Sequence, residues 1–169
     1  LPEGEKWPEG PMRDKVFHID TVTQRLIHLA LREDVGAGDL TTRNFLPAYA
    51  RVRARVIAKQ AGVYCGGPVA AAVFSAAAPR CRVRLAAPEG SRVKAGRTVL
   101  EVSGGPEVLS AERVALNFLQ RLSGGATLTR RYADALRGAG VKVYDTRKTT
   151  PGWRALEKYA VRCGGGANH

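Results

Sequence analysis

The sequence predicts an α+β domain over residues 1–109, followed by the start of a parallel α/β portion over residues 110–169. Three observations carry this. Residues 51–58 alternate arginine with valine and alanine, the two-residue period of a strand. The short apolar run 141–144 ends in Asp145-Thr146-Arg147-Lys148-Thr149-Thr150, after which Pro151-Gly152 precedes a helical pattern from Trp153. Gly164-Gly165-Gly166 then turns the chain at once and delivers Asn168 and His169. Strand, loop, helix, glycine turn and a new strand is the order of a βα unit in a parallel α/β protein.

The elements follow in order. Thr21 to Gln24 has the spacing of a capping box, with Asp20 just before it, and Val22, Leu26, Leu29 and Ala30 repeat at helical spacing up to a stop near Gly36. The acidic, glycine-punctuated stretch 33–42 has too few carboxylates, too irregularly spaced, for a calcium loop, and reads as a turn with local side-chain caps. Arg51, Arg53 and Arg55 give the next strand one wet, basic face. Such a face could grip nucleic acid, but no aromatic residue stands between the arginines to stack on bases, so a solvated face is favoured.

Residues 62–67 form a turn, and Pro68 suits the first turn of an alanine-rich helix over 69–77. Residues 81–85 alternate again, and glycine turns at Gly90 and Gly96 bracket short strands up to Gly104. That last pattern resembles the hammerhead turns of biotinyl and lipoyl carrier domains. Lys94 lacks their Met-Lys-Met setting, so it reads as architecture and not as a cofactor arm.

Ser110 is the expected cap of a helix to about Leu122, with Val114, Phe118, Leu119 and Leu122 as its apolar stripe and Arg113 in its first turn. A cation there can attract an anion jointly with free backbone N–H groups; an exposed arginine without a role fits equally well. Ser123-Gly124-Gly125 is expected to break that helix, and residues 128–136 to form another.

The totals bound the function. The 169 residues, 44% of them hydrophobic, suffice for one core or two small ones. No apolar run approaches membrane-spanning length, and residues 1–15 lack the apolar centre of a signal peptide, so a cytoplasmic protein is expected. A net charge of +12 fits either a nucleic-acid binder or an enzyme for small polyanions. Cys65, Cys81 and Cys163 lie far apart without a CxxC pair, which argues against zinc and for reduced, buried thiols.

The candidate site follows from position. Chemistry in parallel α/β proteins gathers at the carboxyl ends of strands. Arg147 and Lys148 fall at such an end, where adjacent cations repel unless something anionic completes them. Two unit charges ~4 Å apart interact by roughly 4 kcal/mol at an effective dielectric near 20. Arginine supplies a planar fork, lysine a point charge, and Thr146, Thr149 and Thr150 add hydroxyl donors. A clamp for a carboxylate or phosphate is therefore expected. The triple glycine beside His169 lacks the spacing of a dinucleotide fingerprint.

These residues also carry a resemblance. DTRKTTPGWRALEKYAVRCGGGANH resembles the signature of the quinolinate phosphoribosyltransferases, the carboxylating nicotinate-nucleotide pyrophosphorylases. Residues 110–124 resemble the interdomain helix of that family, and residues 33–42 its N-terminal turn. The resemblance implies an N-terminal α+β sandwich joined to an α/β barrel of parallel strands. It implies transfer of phosphoribosyl from phosphoribosyl pyrophosphate to quinolinate, with release of CO2 and pyrophosphate, giving nicotinate mononucleotide for NAD synthesis. Mg²⁺ is implied with the sugar donor, and a homodimer or higher oligomer with shared sites, with no nucleic-acid or membrane partner. By the same resemblance Thr146, Arg147, Lys148 and His169 line the quinolinate pocket, Arg147 and Lys148 as the catalytic pair, and Arg113 reaches into the neighbour's site.

The chain stops at His169, where the family continues with an arginine, a lysine and acidic residues for metal and ribose. An incomplete barrel is therefore expected, with no metal ligand in this chain. A paralogue acting on another ring acid, a basic nucleic-acid-binding module and a carrier domain remain the alternatives.

Overall fold

The structure is a computed structural model and describes residues 17–36, 38–47 and 49–169. The charged, Pro- and Gly-rich start over 1–15 lies outside them. Among the described residues ten elements follow one another: α1 (Thr21–Val35), α2 (Leu40–Phe45), β1 (Val52–Ile57), β2 (Gly62–Val63), α3 (Gly67–Ala77), β3 (Arg82–Leu85), β4 (Arg92–Val93), β5 (Thr98–Gly104), α4 (Glu107–Ala135) and α5 (Arg154–Cys163). The strands form two antiparallel sheets, ordered β1-β5-β3 and β2-β4. The N-terminal part is thus mixed α+β. Among the described residues no helix is long and apolar enough to cross a membrane.

The core lies between the larger sheet and the helices. β1 and β3 turn Val52, Ala54, Val56 and Val83 inward, beside Leu100 and Val102 of β5. Against them pack Val69, Val73 and Phe74 of α3 and Val114, Phe118 and Leu122 of α4. The arginines of β1 take the other face, as alternation requires.

The helices depart from the sequence expectations in three places. Asp20, and not Thr21, caps α1, its carboxylate accepting from Thr23 N at 2.7 Å. The buried stripe of α1 is rotated accordingly: Thr23 and Ile27 face inward, while Val22 and Leu29 are more than half exposed. The second departure is that α4 begins three residues before Ser110, at Glu107. Ser110 does not cap it; its hydroxyl donates to Asp39 at 2.8 Å. Arg113 therefore sits in the second turn, beyond the free N–H groups of the helix start.

The third concerns Ser123-Gly124-Gly125, which does not break the helix; α4 runs through it for 29 residues. Ser123 Oγ accepts from Cys65 N and donates to Cys65 O, both at 3.0 Å, and Thr127 Oγ1 accepts from Val63 N at 2.8 Å. Two N–H groups two residues apart on an extended chain are ~6.7 Å apart, and two side chains four apart on a helix ~6 Å. The helix thus serves as the missing neighbour of the β2 edge. Tertiary contacts outweigh the glycine penalty of about 1 kcal/mol per residue. Close approach also explains Gly62 and Gly66, where a Cβ would lie 2.8 Å from Thr127 Oγ1 and from Leu122 Cδ1.

Candidate functional site

The segment before Asp145 does not form the full strand expected over 141–144. It contributes a single parallel bridge, Tyr144 to Ala167. Ala167 N donates to Val143 O at 2.8 Å and Asp145 N to Ala167 O at 3.1 Å. Between these two parallel segments runs α5, seated by Leu156, Tyr159, Ala160 and Cys163. Strand-like segment, loop, helix and parallel return are therefore present. Residues 145–148 and 168–169 consequently leave the same end of two neighbouring extended segments.

Gly164 and Gly166 make that return possible. A Cβ on Gly164 would meet Ala126 O at 2.5 Å, and one on Gly166 would meet Val161 Cγ1 at 2.6 Å. Gly165 has φ 90°, a left-handed conformation that glycine alone adopts freely.

Asp145 ties the two ends together, a role sequence reasoning did not assign to it. Its Oδ1 accepts from Lys158 Nζ at 2.6 Å and from His169 N at 2.8 Å. With the Asn168 amide turned so that its donors face acceptors, its NH2 donates to Asp145 Oδ2 at 2.7 Å and to Lys158 O at 3.1 Å, and its oxygen accepts from Arg162 at 2.9 Å. Only 4% of the Asp145 side chain is exposed. Burial pushes the Asp145 carboxyl up, but the Lys158 hydrogen bond, the His169 N–H and the Lys158 charge outweigh it and hold the carboxyl below its ordinary 3.8. The available signal was order: Asp145 heads the loop, and Lys158 follows 13 residues later on α5, in the same unit.

Thr146, Arg147 and Lys148 project from this anchor and are exposed. Thr146 Oγ1 accepts from Lys148 N at 3.1 Å, a local turn that sets the backbone. Arg154 donates to Arg147 O and to Thr149 Oγ1, each at 3.4 Å, and Arg121 of α4 reaches Thr150 Oγ1 at 3.3 Å. Among the described residues the Arg147 guanidinium and the Lys148 ammonium have no hydrogen-bond or ion-pair partner. His169 is exposed as well, its backbone held by Asp145. The fold thus brings Thr146, Arg147, Lys148 and His169 to one rim, with the cations uncompensated.

Arg113 is not on this rim. It lies eight residues before Arg121, about 12 Å along α4, and pairs with Asp34. That hydrogen bond raises its guanidinium pKa further. A hollow of about 260 Å³ beside it is lined by Asp34, Asp39, Ser110 and Leu109 among others. Asp39 caps α2 through Thr42 N at 2.9 Å, so among the described residues caps and the Asp34–Arg113 pair help to hold the acidic turn.

The fold also brings together what the sequence separates: the Cys65 and Cys163 thiols and the Glu89 carboxylate lie within 4.8 Å of one another. Glu89 is committed elsewhere, accepting from Gly66 N and Gly67 N at 2.8 Å each and from Tyr159 Oη at 2.6 Å. Burial, then the Cys163 hydrogen bond, pushes the Cys65 thiol well up, away from the thiolate that binds metal or attacks. Three donors, one of them saturated, fall short of the four a structural zinc takes.

Comparison with known proteins gives this geometry a setting. Residues 39–123 match the family model for the quinolinate phosphoribosyl transferase N-terminal domain, and residues 126–169 match that for the C-terminal domain. A probable nicotinate-nucleotide pyrophosphorylase [carboxylating] of Synechocystis is 45% identical over 140 residues, covering 82% of this chain and 47% of the relative. Among solved structures, NadC of Streptococcus pyogenes is 42% identical, with a TM-score of 0.82 over 86% of this chain and 52% of its own. The nicotinate-nucleotide pyrophosphorylase of Francisella tularensis is 34% identical, with a TM-score of 0.85 over 92% of this chain and 56% of its own. The chain spans about half the length of the curated relatives it matches.

Proposed function

The chain belongs to the quinolinate phosphoribosyltransferase family, and from that membership we propose that the intact protein makes nicotinate mononucleotide. Phosphoribosyl passes from phosphoribosyl pyrophosphate to the ring nitrogen of quinolinate, with loss of pyrophosphate and of one carboxylate as CO2. The observation that carries this reading is the rim on which Arg147, Lys148 and His169 meet with both cations unpaired.

Quinolinate presents two adjacent carboxylates. Arg147 answers one with a planar fork and Lys148 the other with a point charge. A guanidinium neutralises a carboxylate without handing a proton to the attacking nitrogen. The Thr146 hydroxyl and the His169 imidazole border the same rim. Positioning and fixed charge then supply most of the rate, with no covalent enzyme intermediate. Asp145 and Lys158 are positioning residues, holding the loop and His169 in one frame.

The parallel return from Tyr144 to Ala167 supports reading residues 110–169 as the first unit of a parallel barrel, after an α+β sandwich over 1–109. Arg113, distant from the rim, fits a part in a second subunit's site, and a homodimer or higher oligomer follows.

The described residues of this rim do not make a Mg²⁺ site. Asp145 is taken by Lys158, His169 and Asn168, and Glu157 by Thr150 N and Arg121. Mg²⁺ belongs in this proposal to the phosphoribosyl pyrophosphate that it accompanies.

The test is turnover of the intact protein with phosphoribosyl pyrophosphate and either quinolinate or nicotinate. CO2 release and nicotinate mononucleotide from quinolinate are expected. Turnover of nicotinate alone would overturn the assignment in favour of a paralogous activity.

A further inference from the structure

The basic sheet face is not used by the proposed reaction. β5 is flanked on both sides in matching register: Arg53 of β1 and Arg82 of β3 both pair with Ser103, and Arg55 and Arg84 both pair with Glu101. Residues opposite one another on neighbouring strands project to the same face. Four guanidinium groups therefore ring two β5 side chains. The ring is about 10 Å across the strands and about 7 Å along them.

Among the described residues Glu101 is the only carboxylate lining the hollow of about 640 Å³ over this face, and it is committed to Arg84 at 2.8 Å. Among the described residues Arg53, Arg55 and Arg82 have no hydrogen-bond or ion-pair partner. Ser103 adds a hydroxyl at the centre of the pair that lacks a carboxylate. None of this overlaps with residues 145–148, His169 or Arg113.

Like charges placed around one strand repel, and that repulsion is relieved by a compact ligand carrying several negative charges. Among the described residues the lining holds no aromatic side chain for a nucleobase to stack on. The footprint suits two or three linked phosphates and is too small for an extended strand of nucleic acid to fill it uniquely. We infer that the outer face of the β1-β5-β3 sheet is a binding site for a polyphosphate chain, recognised through its phosphoryl oxygens by Arg53, Arg55 and Arg82, with Arg84 held in place by Glu101.

The test is calorimetric titration of the intact protein at low salt with inorganic tripolyphosphate and, in parallel, with ATP. Saturable binding is expected, equal for the two ligands because the base is not read, and weakening as salt rises. Arg53→Gln combined with Arg82→Gln should weaken it by about tenfold or more; Arg55→Gln alone should weaken it less and serves if the double variant folds poorly. Arg147→Ala should leave it unchanged. No binding by the native protein overturns the inference, as does binding that the double variant retains in full. Loss of binding in Arg147→Ala would move the ligand to the proposed active site and overturn it too. So would a single-stranded oligonucleotide bound far more tightly than tripolyphosphate.

Discussion

The Asp145 carboxylate lies 2.6 Å from the Lys158 ammonium, and the same oxygen accepts from the backbone of His169 at 2.8 Å. One buried atom therefore joins the start of the cationic loop, the middle of α5 and the end of the parallel return. A rim that presents two uncompensated cations needs such a counter-anchor, because their repulsion works against any fixed geometry.

Asp145→Asn removes the charge while keeping the shape. Leaving Lys158 with a neutral partner should cost about 2 kcal/mol, the range for a hydrogen bond to a charged group, read by urea unfolding. KM for quinolinate should rise more than kcat falls, since the loop is displaced and its cations remain.

The depressed Asp145 carboxyl also sets a pH dependence. A group whose folded pKa lies below its ordinary 3.8 contributes stability that is full above that value and is lost as pH falls through the folded pKa. The stability difference between the native chain and Asp145→Asn should be flat from neutral pH to about 4 and shrink below it. A difference already shrinking at pH 6 would contradict this.

Arg147→Ala should abolish calorimetrically measurable quinolinate binding, and Arg147→Lys should restore it only in part, because an ammonium cannot form the two parallel bonds of the fork. Undiminished binding by Arg147→Ala would rule out the clamp.

Arg113 can be tested by complementation. Arg113→Ala and Lys148→Ala proteins, each inactive alone, should recover activity when mixed under exchange conditions. A randomly mixed dimer population would approach about a quarter of native activity, since half the dimers carry one intact site in two. No recovery despite demonstrated exchange would place Arg113 in its own subunit's chemistry or in none.

Gly124 lies inside α4 with open space where its Cβ would be. Gly124→Ala should stabilise the protein by about 0.5–1 kcal/mol. Gly164→Ala should destabilise it, because the added carbon would fall 2.5 Å from Ala126 O. Thermal melting of the two variants checks both signs.

Much of this could be read from residue order alone. The alternation over Arg51 to Ala58 pointed to β1, observed over Val52–Ile57, and to its wet face, and Val114, Phe118, Leu119 and Leu122 marked the buried stripe of α4. Arg147, Lys148 and His169 stand out as candidates because loop and glycine turn are local signals, and the structure brings their backbones to one rim. The failures are equally specific. Gly124-Gly125 reads as a break because propensity is local, whereas Ser123 and Thr127 earn their helix through β2 and Cys65, some 60 residues earlier. Asp145 escaped notice because its partners become neighbours only once α5 folds back. The run 141–144 looks like a strand, yet within these residues it finds one bridge, since a strand requires partners as well as a pattern.

α4 is a shaft whose several grips keep a fixed angular relation to one another. Arg113 meets Asp34, Arg121 meets Thr150, Ser123 and Thr127 meet the β2 edge, and Ala126 lies under Gly164. Inserting or deleting one residue near Gly124 would swing everything beyond it by about 100°. Point substitutions on its outer side are thus cheap, while any change in its length would uncouple the sheet from the rim at a stroke.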